Sequence, residues 1–166
     1  MVDRNVAVVI PTLNEESSIG GLCKFLYDNG FQAIVVDDNS ADKTSFNARM
    51  NYATVIQNKE RKGLAKSLWQ GFNYVLGLNE QQYNWDSPYN YIVTIDAGKS
   101  HNPEQILPML QMAQSYDLVV GSRFLPFSEY DNTNGKWYRP KASQLAAKLC
   151  NLAQSGSKYT DWTSGF

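Results

Sequence analysis

The sequence predicts an α/β fold in which a mostly parallel sheet is flanked by helices. Short apolar runs of strand length alternate with longer segments whose apolar residues recur at helical spacing. The strand runs, of which residues 5–10 are the clearest, are apolar without alternation, as expected for strands covered on both faces. This regular alternation favours right-handed crossovers, which place successive strands parallel in one sheet.

Three strand–helix pairs make up the first half of the chain. The predicted strands are residues 5–10, 33–36 and 53–57. The first helix is capped by Ser17 or Ser18 and stopped by Gly30. Its apolar positions are Ile19, Leu22, Cys23 and Leu26. A short helix is predicted at residues 43–50, and after the polar loop 58–62 Gly63 opens a third helix with one apolar stripe.

The second half continues the pattern after a polar and aromatic insertion at residues 79–90. The predicted elements are a strand at 91–95, a helix from 103 to about 114, a strand at 117–120 and a helix at 139–153. Asn102 and Pro103 resemble an N-cap followed by proline at the first helical position. The last helix is amphipathic, with Leu145, Leu149 and Leu152 on its apolar side.

Composition and charge indicate one ordinary globular domain, residues 1–166. The chain is 43% hydrophobic with a net charge of −1, so it has no global basic field to recruit nucleic acid. No apolar run approaches the roughly 18 residues of a membrane span, and the N-terminus lacks a signal sequence. We therefore expect a cytoplasmic protein. Cys23 and Cys150 lie in helical patterns and are expected to be buried free thiols.

Charged side chains follow the predicted strands at the points where the strands end. They are Glu15, Asp37, Asp38, Asp96 and Arg123. Because ligands bind beyond the carboxyl ends of strands in open α/β sheets, these residues predict a site for a polar, anionic ligand. Asp96, beside Ser100 and His101, could hold a hard cation through oxygen. The alternative is that Asp96 only ends a strand and caps a turn.

The sequence argues against two phosphate-binding motifs, although a P-loop ATPase stays a third alternative. Gly98, Lys99 and Ser100 look like the end of a P-loop, GxxxxGK[ST], but the position of its first glycine is Val93. Pro103 also places the following helix too far along the chain for a P-loop. The first strand–helix junction lacks GxGxxG, so the dinucleotide-binding fingerprint is absent.

Six segments carry a more specific pattern, in order from Val6 to Phe166. They are VVIPTLNEESSIGGL, IVVDDNSADKT, GLAKSLWQGF, IVTIDAGKSHNPEQI, DLVVGSRF and DWTSGF. Together they resemble family 2 glycosyltransferases of the GT-A fold. GSRF and the D-x-TSGF ending make the dolichol-phosphate mannose synthase-like (polyprenyl-phosphate glycosyltransferase) subgroup the most similar branch. The resemblance implies a nucleotide-diphospho-sugar transferase fold.

The resemblance also implies a donor site for a nucleotide-diphosphate sugar. The implied donor-binding residues are Pro11, Thr12, Leu13, Asn14, Glu15, Asp37, Asp38, Asn39, Asp96, Ala97, Gly98 and Arg123. The first donor loop wraps the nucleotide base and ribose, and Asp38 matches the acid that contacts the nucleoside. Asp96 opens the D-x-D site, where acids meet the diphosphate and its metal ion, and Arg123 matches an arginine that faces the donor phosphates.

The implied catalytic residues are Asp96, Arg123 and Asp161, with Mg²⁺ or Mn²⁺ held at Asp96 and Ser100. A cation and an arginine aimed at the departing diphosphate lower the barrier electrostatically. A polyprenyl phosphate acceptor is already anionic and needs no strong base, whereas a hydroxyl acceptor would need one, for which Asp161 is the candidate. Arg139 and Ser143 resemble the R-x-x-x-S piece beyond the acceptor loop.

The sequence departs from the family pattern in two places. Gly98 stands where D-x-D has its second carboxylate, although Mg²⁺ needs only one or two carboxylates plus substrate phosphates. The chain ends at Phe166, whereas family members continue, so we expect a C-terminally short domain. His101 is expected to pack or cap rather than to bind metal. Residues 124–137 form either an acceptor lid or a disordered connection.

We therefore expect an inverting glycosyltransferase that moves mannose or glucose from a nucleotide-diphosphate sugar to a polyprenyl (dolichyl-type) phosphate, at the cytoplasmic membrane face. The alternative is a catalytically weakened nucleotide-sugar-binding domain, which Gly98 and the short C-terminus favour. GDP-mannose, UDP-glucose and other UDP-sugars all fit. The sequence does not decide whether the chain forms a homo-oligomer, and no nucleic-acid partner is expected.

Overall fold

The structure is a computed structural model, and it describes residues 5–78, 88–98, 100–122, 124, 139–153 and 159–161. The chain forms two compact units, Met1–Ile106 and Leu107–Phe166. The assignment of residues 1–166 to a single glycosyltransferase domain stays a prediction. Arg123 and most of the segments 79–90 and 124–137 lie outside the described residues.

The first unit is built from strands and helices in strict alternation. Its elements are β1 (Val6–Thr12), α1 (Ile19–Asp28), β2 (Gln32–Asp37), α2 (Thr44–Met50), β3 (Thr54–Gln57), α3 (Leu64–Val75), β4 (Tyr91–Thr94) and a 3₁₀ turn (Pro103–Gln105). The strands form a parallel sheet in the order β3-β2-β1-β4. The predicted α/β class, with a parallel sheet flanked by helices, is therefore confirmed.

The two central strands form the core. Residues 6–10 of β1 and 33–36 of β2 are buried, which explains why both runs are apolar without alternation. On α3, Val75 is buried and packs with Ala7, Val9 and Ile34. A Cβ on Gly71 would lie 2.3 Å from Cγ1 of Val9, so only glycine lets α3 approach the sheet this closely.

The second unit contains most of α4 (Ile106–Met112) and all of α5 (Arg139–Ala153). The bounds predicted for α5 are confirmed. Its three predicted apolar positions, Leu145, Leu149 and Leu152, are exposed, and Ala147 is buried instead. Within the described part of the chain, no helix is long and apolar enough to cross a membrane.

Three local predictions were wrong in whole or in part. Residues 117–120 form no strand; Leu118 is exposed, and no described residue pairs with this segment. Ser18 occupies the N-cap position of α1, as predicted, but its hydroxyl donates to the Glu15 carboxylate at 2.7 Å and makes no capping bond to the helix. Cys150 is exposed, whereas Cys23 is buried, which raises the pKa of its thiol to about 12. Both cysteines are free, as predicted.

The turn before α4 confirms its predicted N-terminus. The Asn102 side chain accepts a hydrogen bond from the Glu104 backbone N–H at 3.0 Å, with Pro103 at the first position. The helix begins as a 3₁₀ turn and α4 ends at Met112, slightly before the predicted end near residue 114.

Candidate functional site

The carboxyl ends of the four strands of the first unit lie along one edge of the sheet, because the strands are parallel. We call the segments that follow them, residues 13–18, 38–43, 58–63 and 95–98, the carboxyl edge. Thr12 is level with Asp37 in the register, and Asp37 is level with Gln57. On the other side of β1, the Ile95 N–H donates to the Val9 carbonyl at 3.3 Å. The sheet therefore brings acids from three predicted loops to the same edge.

The loops after β1 and β2 are joined by side chain–backbone hydrogen bonds. The Asn14 N–H donates to the Ser40 hydroxyl at 2.9 Å, and Asn14 Oδ1 accepts from the Ala41 N–H at 2.9 Å. The Glu15 N–H donates to the Thr44 hydroxyl at 2.7 Å. Asn14 and Asn39 adopt positive φ angles of 56° and 67°, which asparagine tolerates better than most residues. The predicted donor loop is thus preorganised by its neighbour.

Asp37 is fully buried, and both of its carboxylate oxygens are used inside the protein. Oδ1 accepts from the Ser40 N–H at 2.9 Å, and Oδ2 accepts from the Ser45 hydroxyl. These bonds shape the loop after β2 and tie it to α2. Thr12, 4% exposed, is also internal, and its hydroxyl donates to the Val36 carbonyl at 3.4 Å. Both residues are buried at the ends of their strands, and their side chains form hydrogen bonds inside the protein.

Asp38 connects the loop after β2 to the entry of α3. Its Oδ1 accepts from the Lys62 N–H at 2.7 Å and from Asn58 Nδ2 at 3.1 Å, and its Oδ2 accepts from the Gly63 N–H at 2.8 Å. Burial alone would raise the pKa of this carboxyl, but the hydrogen bonds and the charge of Arg61 together lower it. Asp38 is therefore an ionised anchor at the N-terminus of α3, where the helix dipole also favours negative charge.

Asn58 is a residue of this edge to which the sequence analysis gave no role. It is 4% exposed and lies between Asp38 and α3, because its Oδ1 accepts from Gln70 Nε2 at 3.0 Å. Its N–H donates to the Asp37 carbonyl at 2.9 Å. The signal that could have found it is its position directly after β3, which matches that of Asp38 after β2.

Asp96 follows β4 and differs from Asp38 in its exposure. Its side chain is 50% exposed, whereas its backbone N–H is held by His101 Nδ1 at 3.1 Å. His101 Nε2 lies 4.0 Å from Asp96 Oδ2, an ion pair only when the histidine is protonated. Because Nδ1 accepts the backbone N–H, His101 closes the turn that presents Asp96, in line with the capping role expected for it.

Glu15 and Gly98 bring the loops after β1 and β4 into contact. A Cβ on Gly98 would lie 3.8 Å from Glu15 Oε1. Ala97 beside it is 4% exposed, while Ser100 is exposed and stays a predicted ligand only. No group of three His, Cys, Asp or Glu side chains that could hold a metal occurs among the described residues.

The second unit links two of the predicted family segments. Ser122 Oγ accepts from the Thr160 hydroxyl at 2.7 Å and from the Phe124 N–H at 3.2 Å. Asp161, next to Thr160, is 1% exposed. The segment that contains Arg123 and the segment that contains Asp161 therefore meet through their neighbours. No sequence pattern indicates the Ser122–Thr160 bond, because it joins residues 38 positions apart.

A cavity of about 410 Å³ opens beside α5 in the second unit. It is lined by Phe124, Gln144, Ala147, Lys148, Asn151, Tyr159 and Thr160. Asn151 Nδ2 donates to the Tyr159 carbonyl at 2.8 Å and so holds the 159–161 segment against the helix. Ser143 is half-buried on α5, and the side chain of Arg139 lies outside the described part of the structure.

The predicted site residues thus fall into separate groups. Glu15, Asp38, Asp96 and Gly98 lie on the carboxyl edge, together with Leu13, Asn14, Asn39 and Ala97. Pro11, Thr12 and Asp37 lie at the ends of β1 and β2. Asp161 belongs to the second unit.

The chain is similar to a known protein family and to named relatives. The family model of glycosyl transferase family 2 matches residues 7–158. The chain is similar to the undecaprenyl-phosphate mannosyltransferase of Micrococcus luteus, with 30% identity over 97% of this chain and 64% of that protein. It is similar to the dolichol-phosphate mannosyltransferase of Pyrococcus furiosus, with 29% identity over 89% of this chain and 41% of that protein. The chain spans about half the length of the curated relatives it matches.

Among solved structures, a mycobacterial protein matches with a TM-score of 0.51 at 24% identity, over 71% of this chain and 39% of that one. This likeness concerns the fold alone and, with the family match, confirms the predicted GT-A fold. The names of the relatives confirm the subgroup that GSRF and D-x-TSGF indicate. The chain belongs to glycosyl transferase family 2.

Proposed function

We propose that this chain binds a nucleotide-diphosphate sugar and transfers its mannose or glucose, with inversion, to a polyprenyl phosphate. The observation that carries the proposal is the carboxyl edge, where a bonded acid, Asp38, and a half-exposed acid, Asp96, lie on one sheet. Relatives named as undecaprenyl- and dolichol-phosphate mannosyltransferases support the acceptor class and the choice of mannose.

The loops after β1 and β2 receive the nucleoside in this proposal. Their mutual hydrogen bonds fix Asn14 and Glu15 before the donor arrives, which lowers the entropy lost on binding. Asp38 holds the Lys62 and Gly63 backbone in place and keeps a negative charge beside them. The nucleoside therefore binds to a surface whose shape is set by these hydrogen bonds.

The turn at residues 96–98, which corresponds to D-x-D, faces the diphosphate in this proposal. The half-exposed carboxylate of Asp96 suits a hydrated divalent cation, since Mg²⁺ keeps several waters and takes few protein ligands. Asp96 would hold Mg²⁺ or Mn²⁺, with Ser100 as a predicted oxygen ligand. When bound, the cation supplies positive charge against the negative charge that develops on the leaving diphosphate. Arg123 is proposed to add a second cation toward the same phosphates.

The burial of Asp161 favours an anionic acceptor over a hydroxyl acceptor. A general base must reach the proton that it removes, and Asp161 is 1% exposed. A polyprenyl phosphate brings its own charged nucleophile and needs no such base.

A polyprenyl phosphate acceptor lies in a membrane. We therefore propose α5, whose Leu145, Leu149 and Leu152 are exposed, as the candidate element at the membrane face.

Titration calorimetry with GDP, UDP and ADP, each with and without Mn²⁺, tests the proposal. We expect GDP or UDP to bind more tightly with Mn²⁺, and ADP to bind weakly in both conditions. Transfer of a labelled sugar to a polyprenyl phosphate then tests turnover. Nucleotide binding that is indifferent to Mn²⁺, with no transfer, would favour the second candidate, a weakened nucleotide-sugar-binding domain. Gly98, which supplies no second carboxylate, is the observation that favours that candidate.

A further inference from the structure

Gly98 occupies a position that does not require glycine. Its φ angle lies outside the left-handed region, and the nearest atom to a Cβ added there is Glu15 Oε1 at 3.8 Å, an ordinary contact distance. Neither backbone strain nor close packing therefore explains the absence of a side chain. The glycine instead lets the turn after β4 face the Glu15 carboxylate, which lies within contact distance of the Cβ position.

Glu15 is held firmly beside that space. Its backbone N–H donates to the Thr44 hydroxyl at 2.7 Å, and its Oε2 accepts from the Ser18 hydroxyl at 2.7 Å. Oε1 is the oxygen that faces Gly98, and none of the described residues donates a hydrogen bond to it. The side chain is half-buried, so the carboxylate is oriented without being enclosed.

We propose that Glu15 supplies the second carboxylate of the divalent-cation site. It would replace the second aspartate of the D-x-D motif, a position that Gly98 occupies in this chain. The inference rests on the proposed function, because the cation accompanies the nucleotide diphosphate. β1 and β4 are neighbours in the sheet, so the loops that carry Glu15 and Asp96 leave the sheet side by side. Two carboxylates, the diphosphate oxygens and water complete the oxygen set that Mg²⁺ or Mn²⁺ prefers. An aspartate at position 98 would crowd a second negative charge against Glu15.

Mn²⁺ binding in the presence of GDP or UDP, whichever binds, tests this assignment without turnover. The free Mn²⁺ is measured by its electron paramagnetic resonance signal. Glu15→Gln should weaken Mn²⁺ binding by at least about tenfold, since the loss of even an outer-shell partner typically costs ten- to a hundredfold. Glu16→Gln is the matched control, because Glu16 is exposed, its carboxylate accepts from the Lys43 N–H, and none of its atoms lies within 4 Å of a Cβ added to Gly98. It should bind Mn²⁺ as the parent chain does.

A rescue experiment makes the test specific. Gly98→Asp in the Glu15→Gln background should restore most of the lost Mn²⁺ affinity, because the carboxylate returns to the same space. Gly98→Ala in that background should restore none. The assignment is overturned if Glu15→Gln binds Mn²⁺ as tightly as the parent, if Glu16→Gln loses as much, or if alanine rescues as well as aspartate.

The failure of the inference is distinguishable from the failure of the proposed function. A parent chain whose nucleotide binding shows no Mn²⁺ dependence would contradict the proposed function, and the inference with it. A parent chain that needs Mn²⁺, together with an unaffected Glu15→Gln variant, would contradict the inference alone. Far-ultraviolet circular dichroism and thermal unfolding show that each variant is folded before its Mn²⁺ binding is compared.

Discussion

The acids after β2 and β4 occupy equivalent positions on the sheet but have different surroundings. Asp38 is 7% exposed, and hydrogen-bond donors from three residues occupy its carboxylate. The Asp96 side chain is 50% exposed; its backbone N–H donates to His101 Nδ1, and its carboxylate lies 4.0 Å from His101 Nε2. The difference indicates that Asp38 organises the carboxyl edge, whereas Asp96 has the exposure that a proposed cation ligand needs. Substitutions at and beneath these two acids should remove or sharpen that contrast.

The largest expected loss of stability follows from the substitution of Asp38. Asp38→Ala leaves the Lys62 and Gly63 N–H groups and Asn58 Nδ2 without their acceptor. We expect the free energy of unfolding to fall by about 3 kcal/mol, since bonds to charged groups are worth about 1.5–3 kcal/mol each and water replaces part of them. Urea denaturation measures the change. A loss below about 0.5 kcal/mol would contradict the organising role.

A second prediction concerns the packing beneath both strand ends. Gly71→Ala places a Cβ 2.3 Å from Val9 Cγ1 and must push α3 away from the sheet. We expect a loss of about 1–3 kcal/mol in the same denaturation experiment. Gly21→Ala is the control, because nothing lies within 4 Å of its added Cβ on α1. Its helix propensity should make it neutral or stabilising by about 0.5–1 kcal/mol.

A third prediction uses pH to isolate the charge of Asp38. Its pKa is lowered in the folded protein from an ordinary value of 3.8, so the ionised form stabilises the fold above that pH. This stability is lost as pH falls below about 4 toward the folded pKa. Asp38→Asn, which cannot ionise, should show a flatter loss of stability between pH 5 and pH 3. Parallel acid profiles for the two proteins would contradict the assignment.

Local patterns in the sequence were sufficient for the elements that local chemistry determines. The apolar runs predicted β1 and β2, and the Asn102-Pro103 pair predicted the 3₁₀ turn that leads into α4, because each depends on residues close in the chain. The strand expected at residues 117–120 failed because a strand also needs a partner, which periodicity does not supply.

The parts of the site that the sequence missed depend on distant contacts. The Ser18 hydroxyl donates to the Glu15 carboxylate rather than capping the end of α1. Asn58 Nδ2 donates to Asp38, which lies 20 positions earlier in the chain. Strand-tip acids could be recognised by type, yet their division into a bonded Asp38 and an exposed Asp96 could not. That division is set by which backbone N–H groups the fold brings to each carboxylate.

The most direct test of this division of roles is the Asp96→Asn variant, titrated with GDP and UDP with and without Mn²⁺. We expect it to unfold at the same urea concentration as the parent chain and to retain nucleotide binding without Mn²⁺. The Mn²⁺-dependent gain in affinity should be lost, because the half-exposed carboxylate is the proposed cation ligand. An Asp96→Asn variant that keeps the full Mn²⁺-dependent gain, or that is destabilised as strongly as Asp38→Ala, would contradict the account.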